Sequence, residues 1–160
     1  MVGCCGAGKS TFAAELALRL CVLYIERDAL GKLGSDEYRA GVGAMLKTRA
    51  WVFDGPPYFV DHLVYPVAHV VVWLDYPRSL VIKRAIRRSV KRTFALSKPD
   101  KNQSGRLHQW IAPGGSLFAW KTYAQRKREF ATLSENPELS ETQILRFDHP
   151  QKARNWLASL

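Results

Sequence analysis

Residues 3–10 read Gly-Cys-Cys-Gly-Ala-Gly-Lys-Ser, which places glycines, a lysine and a hydroxyl at the spacing G-x-x-x-x-G-K-[ST]. Glycine lets a chain wrap so that successive backbone N–H groups point inward, toward the oxygens of a phosphate. A lysine at the end of such a loop reaches the β- and γ-phosphates, and the hydroxyl after it can ligate Mg²⁺. Gly3, Cys4, Cys5, Gly6, Ala7, Gly8, Lys9, Ser10 and Thr11 are therefore the candidate cradle for a polyphosphate. A chance match in a glycine-rich loop is the competing reading. Against it stands the alanine-rich apolar run over 12–20, whose composition predicts a helix that starts at the loop and aims its positive end at the same anion.

The elements that would position such a loop follow in order. Near-continuous apolar runs at 22–25, 51–53, 70–74 and 144–147 predict strands of a parallel sheet covered on both faces. They alternate with helical stretches predicted from Ser35 toward Thr48, over 60–65, and over 150–160 with Trp156 and Leu157 inward. Only Met1 and Val2 precede Gly3, so the strand that leads into the loop is expected to be truncated.

Each predicted strand ends in a polar group, and open α/β sheets bind ligands at the carboxyl ends of their strands. Asp54, followed by Gly55, is the candidate carboxylate for Mg²⁺. Asp75 fits the same loose pattern, but Tyr76-Pro77 after it reads as a helix entrance, which favours a capping role. Asp28 has two readings: a carboxylate that orients or deprotonates an acceptor hydroxyl, or a cap for the chain from Ala29 onward.

Charge is concentrated in one place. The chain carries 24 Lys+Arg against 14 Asp+Glu, a formal +10. Residues 1–77 hold −1 and 129–160 hold −2, while 78–128 hold +13 with Asp100 as their single acid. Within that stretch an apolar stripe (Val81/Ile82, Ala85/Ile86, Val90/Phe94) predicts a helix, with Arg84, Arg88 and Lys91/Arg92 repeating on another face. A charge run is ordinarily a solvated face, yet no acid lies three or four residues away to offset this repulsion, so an anion is expected. A Lys-, Ser-, Gly- and Pro-rich segment with Arg106 follows, then a second helix from about Leu117 with Trp120, Tyr123 and Phe130 packing inward. Helix, loop and helix predict a lid that brings arginines onto transferring phosphate oxygens and excludes water.

Composition closes off other classes. A length of 160 residues, 47% hydrophobic, argues for one domain with a real core rather than disorder. Three cysteines, two adjacent, make no disulfide framework, which points to a reducing cytoplasmic setting with Cys21 in the core. The scattered histidines have no zinc spacing, and the longest apolar stretch is too short for a membrane.

The loop, Ile-Glu-Arg-Asp-Ala-Leu at 25–30, Trp-Val-Phe-Asp-Gly at 51–55, Val-Val-Trp-Leu-Asp-Tyr-Pro at 71–77 and the arginine-rich helix resemble the adenylate kinase-like P-loop proteins described as DNA topology-modulation (FlaR-like) proteins. The resemblance runs from residue 2 to about 157. It implies a P-loop three-layer α/β sandwich around a five-stranded parallel sheet of nucleoside monophosphate kinase type, in the order 2-3-1-4-5. It also implies ATP and Mg²⁺ at 3–11, a lid over about 78–128 supplying Arg84, Arg88, Arg92 and Arg106, and strand-end aspartates at Asp28 and Asp54.

The expected activity is transfer of the ATP γ-phosphoryl group to a small acceptor, a nucleotide or nucleoside among the classes considered. Lys9, Arg84, Arg88 and Arg92 would stabilise the moving group, Ser10 and Asp54 would hold Mg²⁺, and Asp28 would face the acceptor. Two alternatives stand beside it: a nucleic-acid-associated protein using the +13 segment, and a degenerate ATP-binding scaffold.

Overall fold

A computed structural model describes residues 1–95 and 115–160, without the side chains of 92–95 and 134. The described chain is α/β. Its strands are β1 (Val2–Gly3), β2 (Leu23–Glu26), β3 (Trp51–Asp54), β4 (Val70–Leu74) and β5 (Gln143–Phe147). Its helices are α1 (Lys9–Leu20), α2 (Asp36–Leu46), α3 (Asp61–Val64), α4 (Arg78–Ala95), α5 (Ser116–Ala131) and α6 (Pro150–Ala158). The predicted strands and helices thus form within one or two residues of their expected limits.

All the pairings are parallel, in ladders β1-β4-β5 and β2-β3. β4 and β5 pair over their full length, from Val70 opposite Gln143 to Leu74 opposite Phe147. β1 meets β4 only at Trp73 and Leu74, so this strand is as short as expected. Met1 reaches the other ladder: its amino group donates to the Phe53 carbonyl at 2.8 Å, and the Gly55 N–H donates to the Met1 carbonyl at 3.1 Å.

Alternation along the strands accounts for the packing. Val72 and Leu74 join Phe12, Ala13, Leu16 and Ala17 of α1, Val81 of α4 and Leu157 of α6 in one cluster. Val71 and Trp73, pointing the other way, pack with Val2, Phe130 and Leu133. Ile25 and Phe53 likewise leave the first cluster to pack with Tyr38, Val42 and Met45 of α2 and Val64 of α3. Both faces of the strands are therefore covered, which explains why their sequences read as continuous apolar runs.

Local chemistry sets the helix limits. Ser35 caps α2 by accepting the Tyr38 N–H at 3.2 Å, with Asp36 and Glu37 in the first turn. Pro150 opens α6 at a position where no N–H is needed. Cys21, expected in the core, is exposed. It ends α1 in the left-handed conformation, φ 52°, with its thiol 3.7 Å from the Leu18 carbonyl of the helix's last turn.

Two further expectations change. Asp75 is buried at the end of β4 and is held by ion pairs from two elements. Arg146 of β5 donates to its Oδ2 through Nε at 3.0 Å and through Nη2, and Lys127 of α5 lies 3.3 Å from Oδ1. The carboxylate ties β4, β5 and α5 together; it does not cap α4. On α4 the buried positions are Val81, Ala85 and Ser89, four apart, while Ile86 of the predicted stripe is exposed. Asp75→Ala removes the acceptor for two cations, both with water within reach, and is expected to lower stability by about 1–3 kcal/mol. Thermal unfolding of the two proteins checks this.

Candidate functional site

The glycine loop joins β1 to α1, and three of its residues have left-handed or related backbone: Gly3 at φ 146°, Gly6 at 93° and Gly8 at 95°. Space explains the choice of residue as well as conformation. A Cβ at Gly3 would sit 2.8 Å from the Leu74 carbonyl oxygen, and one at Gly6 would sit 2.8 Å from that of Val81. The loop is thereby pressed between the end of β4 and the first turns of α4. Ala7 N–H closes a turn on the Cys4 carbonyl at 3.1 Å. Gly8 stands at the N-cap of α1 with no side chain to bond the first N–H groups, so these are left for an anion. Ser10 and Thr11 are exposed beside them.

Lys9 folds back into the loop, its Nζ donating to the Cys4 carbonyl at 3.2 Å. Burial pulls its pKa below the ordinary lysine value, against the opposing pull of Cys5 and Asp54. A buried ammonium penalised in this way gains most from a nearby anion. Asp54 is buried at the end of β3; its Oδ2 accepts from the Tyr24 hydroxyl at 3.2 Å, while Oδ1 has no hydrogen-bond partner. Burial, then Asp54, pushes the Tyr24 pKa up to about 12, which keeps it a donor to the carboxylate; nearby Ser10 opposes the shift. Tyr24 thus bonds to one of the two residues expected to hold a metal and stands near the other.

The basic helix α4 faces the loop. Arg84 Nη1 donates to the Ala7 carbonyl at 2.9 Å, its guanidinium lying 5.5 Å from the centre of the Tyr76 ring. Arg88 Nη2 lies 3.4 Å from Cys5 Sγ. Beside them opens a cleft of about 420 Å³, walled in part by Gly8, Thr11, Glu15, Tyr76, Arg84 and Arg154. Cys4, by contrast, is buried and turned inward: its thiol lies 3.8 Å from the Tyr123 carbonyl, and burial raises its pKa to about 11.

Lys9, Ser10, Asp54, Arg84 and Arg88 therefore gather around the loop. Asp28 stands apart from them. It is exposed in the turn after β2 and bonded to Arg27, whose Nε donates at 2.8 Å; it caps no helix. The Arg92 side chain and all of Arg106 lie outside the described residues. Trp120, expected to pack inward, is 53% exposed and carries the Arg78 guanidinium 3.8 Å above its ring, while Tyr123 and Phe130 of the same helix are buried.

Three participants escaped the sequence reading: Tyr24, Tyr76 and Arg27. Tyr24 was accessible in principle, because Glu26 pairs with Asp54 in register and the period of two puts Tyr24 on the same face. Arg27 and Arg126 approach Tyr58 from different elements, at 5.8 and 4.7 Å from its ring centre, a meeting set by tertiary structure alone.

Among the described residues no group of three or more His, Cys, Asp or Glu could hold a metal ion. The donors present are the free Asp54 Oδ1 and the Ser10 hydroxyl, a set that suits Mg²⁺ completed by water and phosphate oxygens rather than an all-protein cage. No helix of the described residues is long and apolar enough to cross a membrane. No protein-family model matches the chain, and comparison with curated proteins finds no significant relative.

The thiols offer a direct check on this geometry. With iodoacetamide near neutral pH, Cys21 is expected to react first, Cys5 more slowly and Cys4 last, since Cys4 is both buried and held as the thiol. Peptide mass spectrometry over a time course reads the order. Gly6→Ala is expected to lose at least ~1–2 kcal/mol of stability from the left-handed backbone, before counting the collision with Val81. Chemical denaturation measures that loss.

Proposed function

We propose that this chain is an ATP-dependent phosphotransferase that passes the γ-phosphoryl group of ATP to a small acceptor, with nucleotides and nucleosides as the first classes to test. The observation that carries the reading is the convergence of Lys9, Ser10 and Asp54 at the mouth of a glycine loop whose helix N-terminus has no cap of its own. The hydrogen bonds of Met1 to β3, together with the β1-β4-β5 ladder, support a single P-loop sheet in the order β2-β3-β1-β4-β5.

On this reading the loop N–H groups and the first turn of α1 bind the β-phosphate, and Lys9 neutralises charge shared between the β- and γ-phosphates. The cost of desolvating the Lys9 ammonium is regained as binding energy when phosphate arrives. Ser10 and Asp54 would hold Mg²⁺, which supplies charge neutralisation at the β- and γ-oxygens when bound. Tyr24 fixes the Asp54 carboxylate through Oδ2 and leaves Oδ1 for the metal. Arg84 and Arg88 exchange their contacts with the loop for phosphate oxygens, and the cleft beside them takes the nucleoside. Asp28, exposed in the turn after β2 and held by Arg27, would face the hydroxyl of an acceptor that enters from that side. Arg92 and Arg106 would complete the arginine set from the lid segment over about 78–128.

The nucleic-acid reading draws less support. Arg84 and Arg88 turn toward the loop, and one face of the exposed Trp120 is already covered by Arg78.

Lys9→Ala is expected to lower ATP turnover about 10²–10³-fold while unfolding at nearly the wild-type temperature. The assay is ADP release with Mg²⁺ across a panel of nucleotide and nucleoside acceptors, beside circular dichroism of both proteins. Wild-type turnover in the variant would remove Lys9 from the mechanism. Mg·ATP is also expected to slow alkylation of Cys5, within the loop, and to leave that of Cys21 unchanged.

A further inference from the structure

A second cavity, of about 360 Å³, is walled by Pro57, Tyr58, Phe59, Asp61, Tyr65 and Glu129. It lies between the β3–α3 connection and α5, and shares no lining residue with the cleft beside the glycine loop. Three aromatic rings and two carboxylates form most of its wall, and no lysine or arginine is among them. That composition is unexpected in a chain of net charge +10. We propose that this cavity binds a small organic cation: an ammonium or amidinium group on a compact, partly apolar body.

Tyr58 already carries Arg27 and Arg126 at 5.8 and 4.7 Å from its ring centre. The π faces offered to such a group are therefore those of Phe59 and Tyr65, and the carboxylates accept its N–H donors. Among the described residues no hydrogen bond reaches the Asp61 carboxylate. The Glu129 carboxylate has only a long ion pair, 3.7 Å, with Arg126. Burial raises the Glu129 pKa, with Arg126 opposing, so a bound cation would relieve an unfavourable negative charge. Arg27 and Arg126 flank the Tyr58 ring yet neither lines the cavity, which leaves Asp61 wholly and Glu129 in part for a ligand.

The backbone adds an independent mark. Phe59 is 62% exposed and holds φ 66°, a left-handed conformation unusual for a residue with a bulky side chain. Its ring rests over Gly34, where a Cβ would come 3.6 Å from the ring. A large ring kept at the mouth of a cavity on strained backbone is the arrangement found at ligand clamps. On the same wall, the Tyr58 hydroxyl is buried with no hydrogen-bond partner. The long-range field of the protein repels cations, so affinity here must come from the two carboxylates and the rings.

The test uses the full chain and three probes of one shape, 2-phenylethylamine, 2-phenylethanol and 3-phenylpropionate, titrated by ligand-observed saturation-transfer NMR at neutral pH and low salt. The amine is expected to bind about tenfold or more tightly than the alcohol, and the carboxylate not to bind. Asp61→Asn with Glu129→Gln should erase the difference between amine and alcohol at an unchanged unfolding temperature. Phe59→Gly should weaken the amine while keeping or raising thermal stability, because glycine suits φ 66°. That opposition separates a ligand clamp from a merely structural ring. Lys9→Ala should leave amine affinity unchanged, so the inference stands or falls separately from phosphoryl transfer. Equal binding of amine and alcohol, preference for the carboxylate, or loss of the amine in Lys9→Ala would overturn it.

Discussion

A carbon atom added at Gly6 would lie 2.8 Å from the Val81 carbonyl oxygen, and one added at Gly3 would lie equally close to that of Leu74. The rest of the site depends on this close approach. With no side chain between them, the end of β4, the glycine loop and α4 stack in direct backbone contact. The separation is small enough for Arg84 to reach the Ala7 carbonyl and for Arg88 to reach Cys5. A loop held a residue's width further from α4 would present its N–H groups to solvent, with the arginines out of range. The glycines therefore do two jobs, supplying left-handed backbone and setting the distance from cradle to cations.

The electrostatics follow from that geometry. α4 carries seven basic residues and no acid, so its like charges repel at spacings of three and four. Packing of Val81, Ala85 and Ser89 and donation from Arg84 to the loop offset the repulsion, and a polyphosphate would offset more of it. Lys9 is in a similar situation, half-buried and donating to a carbonyl, with Cys5 and Asp54 opposing the cost of desolvation. Asp75 shows the opposite arrangement. There a buried carboxylate is matched by Arg146 and Lys127, and it serves the junction of β4, β5 and α5. The two aspartates stand at the ends of successive hydrophobic strands of the sequence, but only Asp54 keeps an oxygen free.

Much of this was legible in the residues, for physical reasons that differ from case to case. The strands were readable because a sheet covered on both faces demands continuous apolar runs, and 70–74 and 144–147 supply them. The loop was readable because few residue types tolerate its backbone. Asp75 was misread as a cap because its partners come from Arg146 and Lys127, more than fifty residues away along the chain. Cys21 was misread as core because hydrophobicity does not report that a residue will end a helix with φ 52°. Trp120 was misread for a related reason. Its size suggested burial, but Arg78 supplies a cation–π cover that a helical pattern does not show. Tyr58 and Arg126 meet only through the packing of α5 against the β3–α3 connection, and no local pattern encodes that.

The central claim is that the glycine loop, Lys9, Ser10 and Asp54 form one site for Mg·ATP. Calorimetric titration of the full chain with ATP, first with Mg²⁺ and then with excess chelator, tests it most directly. The account predicts saturable binding of one nucleotide per chain, weakened when Mg²⁺ is removed and, in Asp54→Asn, no longer sensitive to the metal. Absence of binding at millimolar ATP, or an affinity indifferent to Mg²⁺ in the wild-type chain, would contradict it.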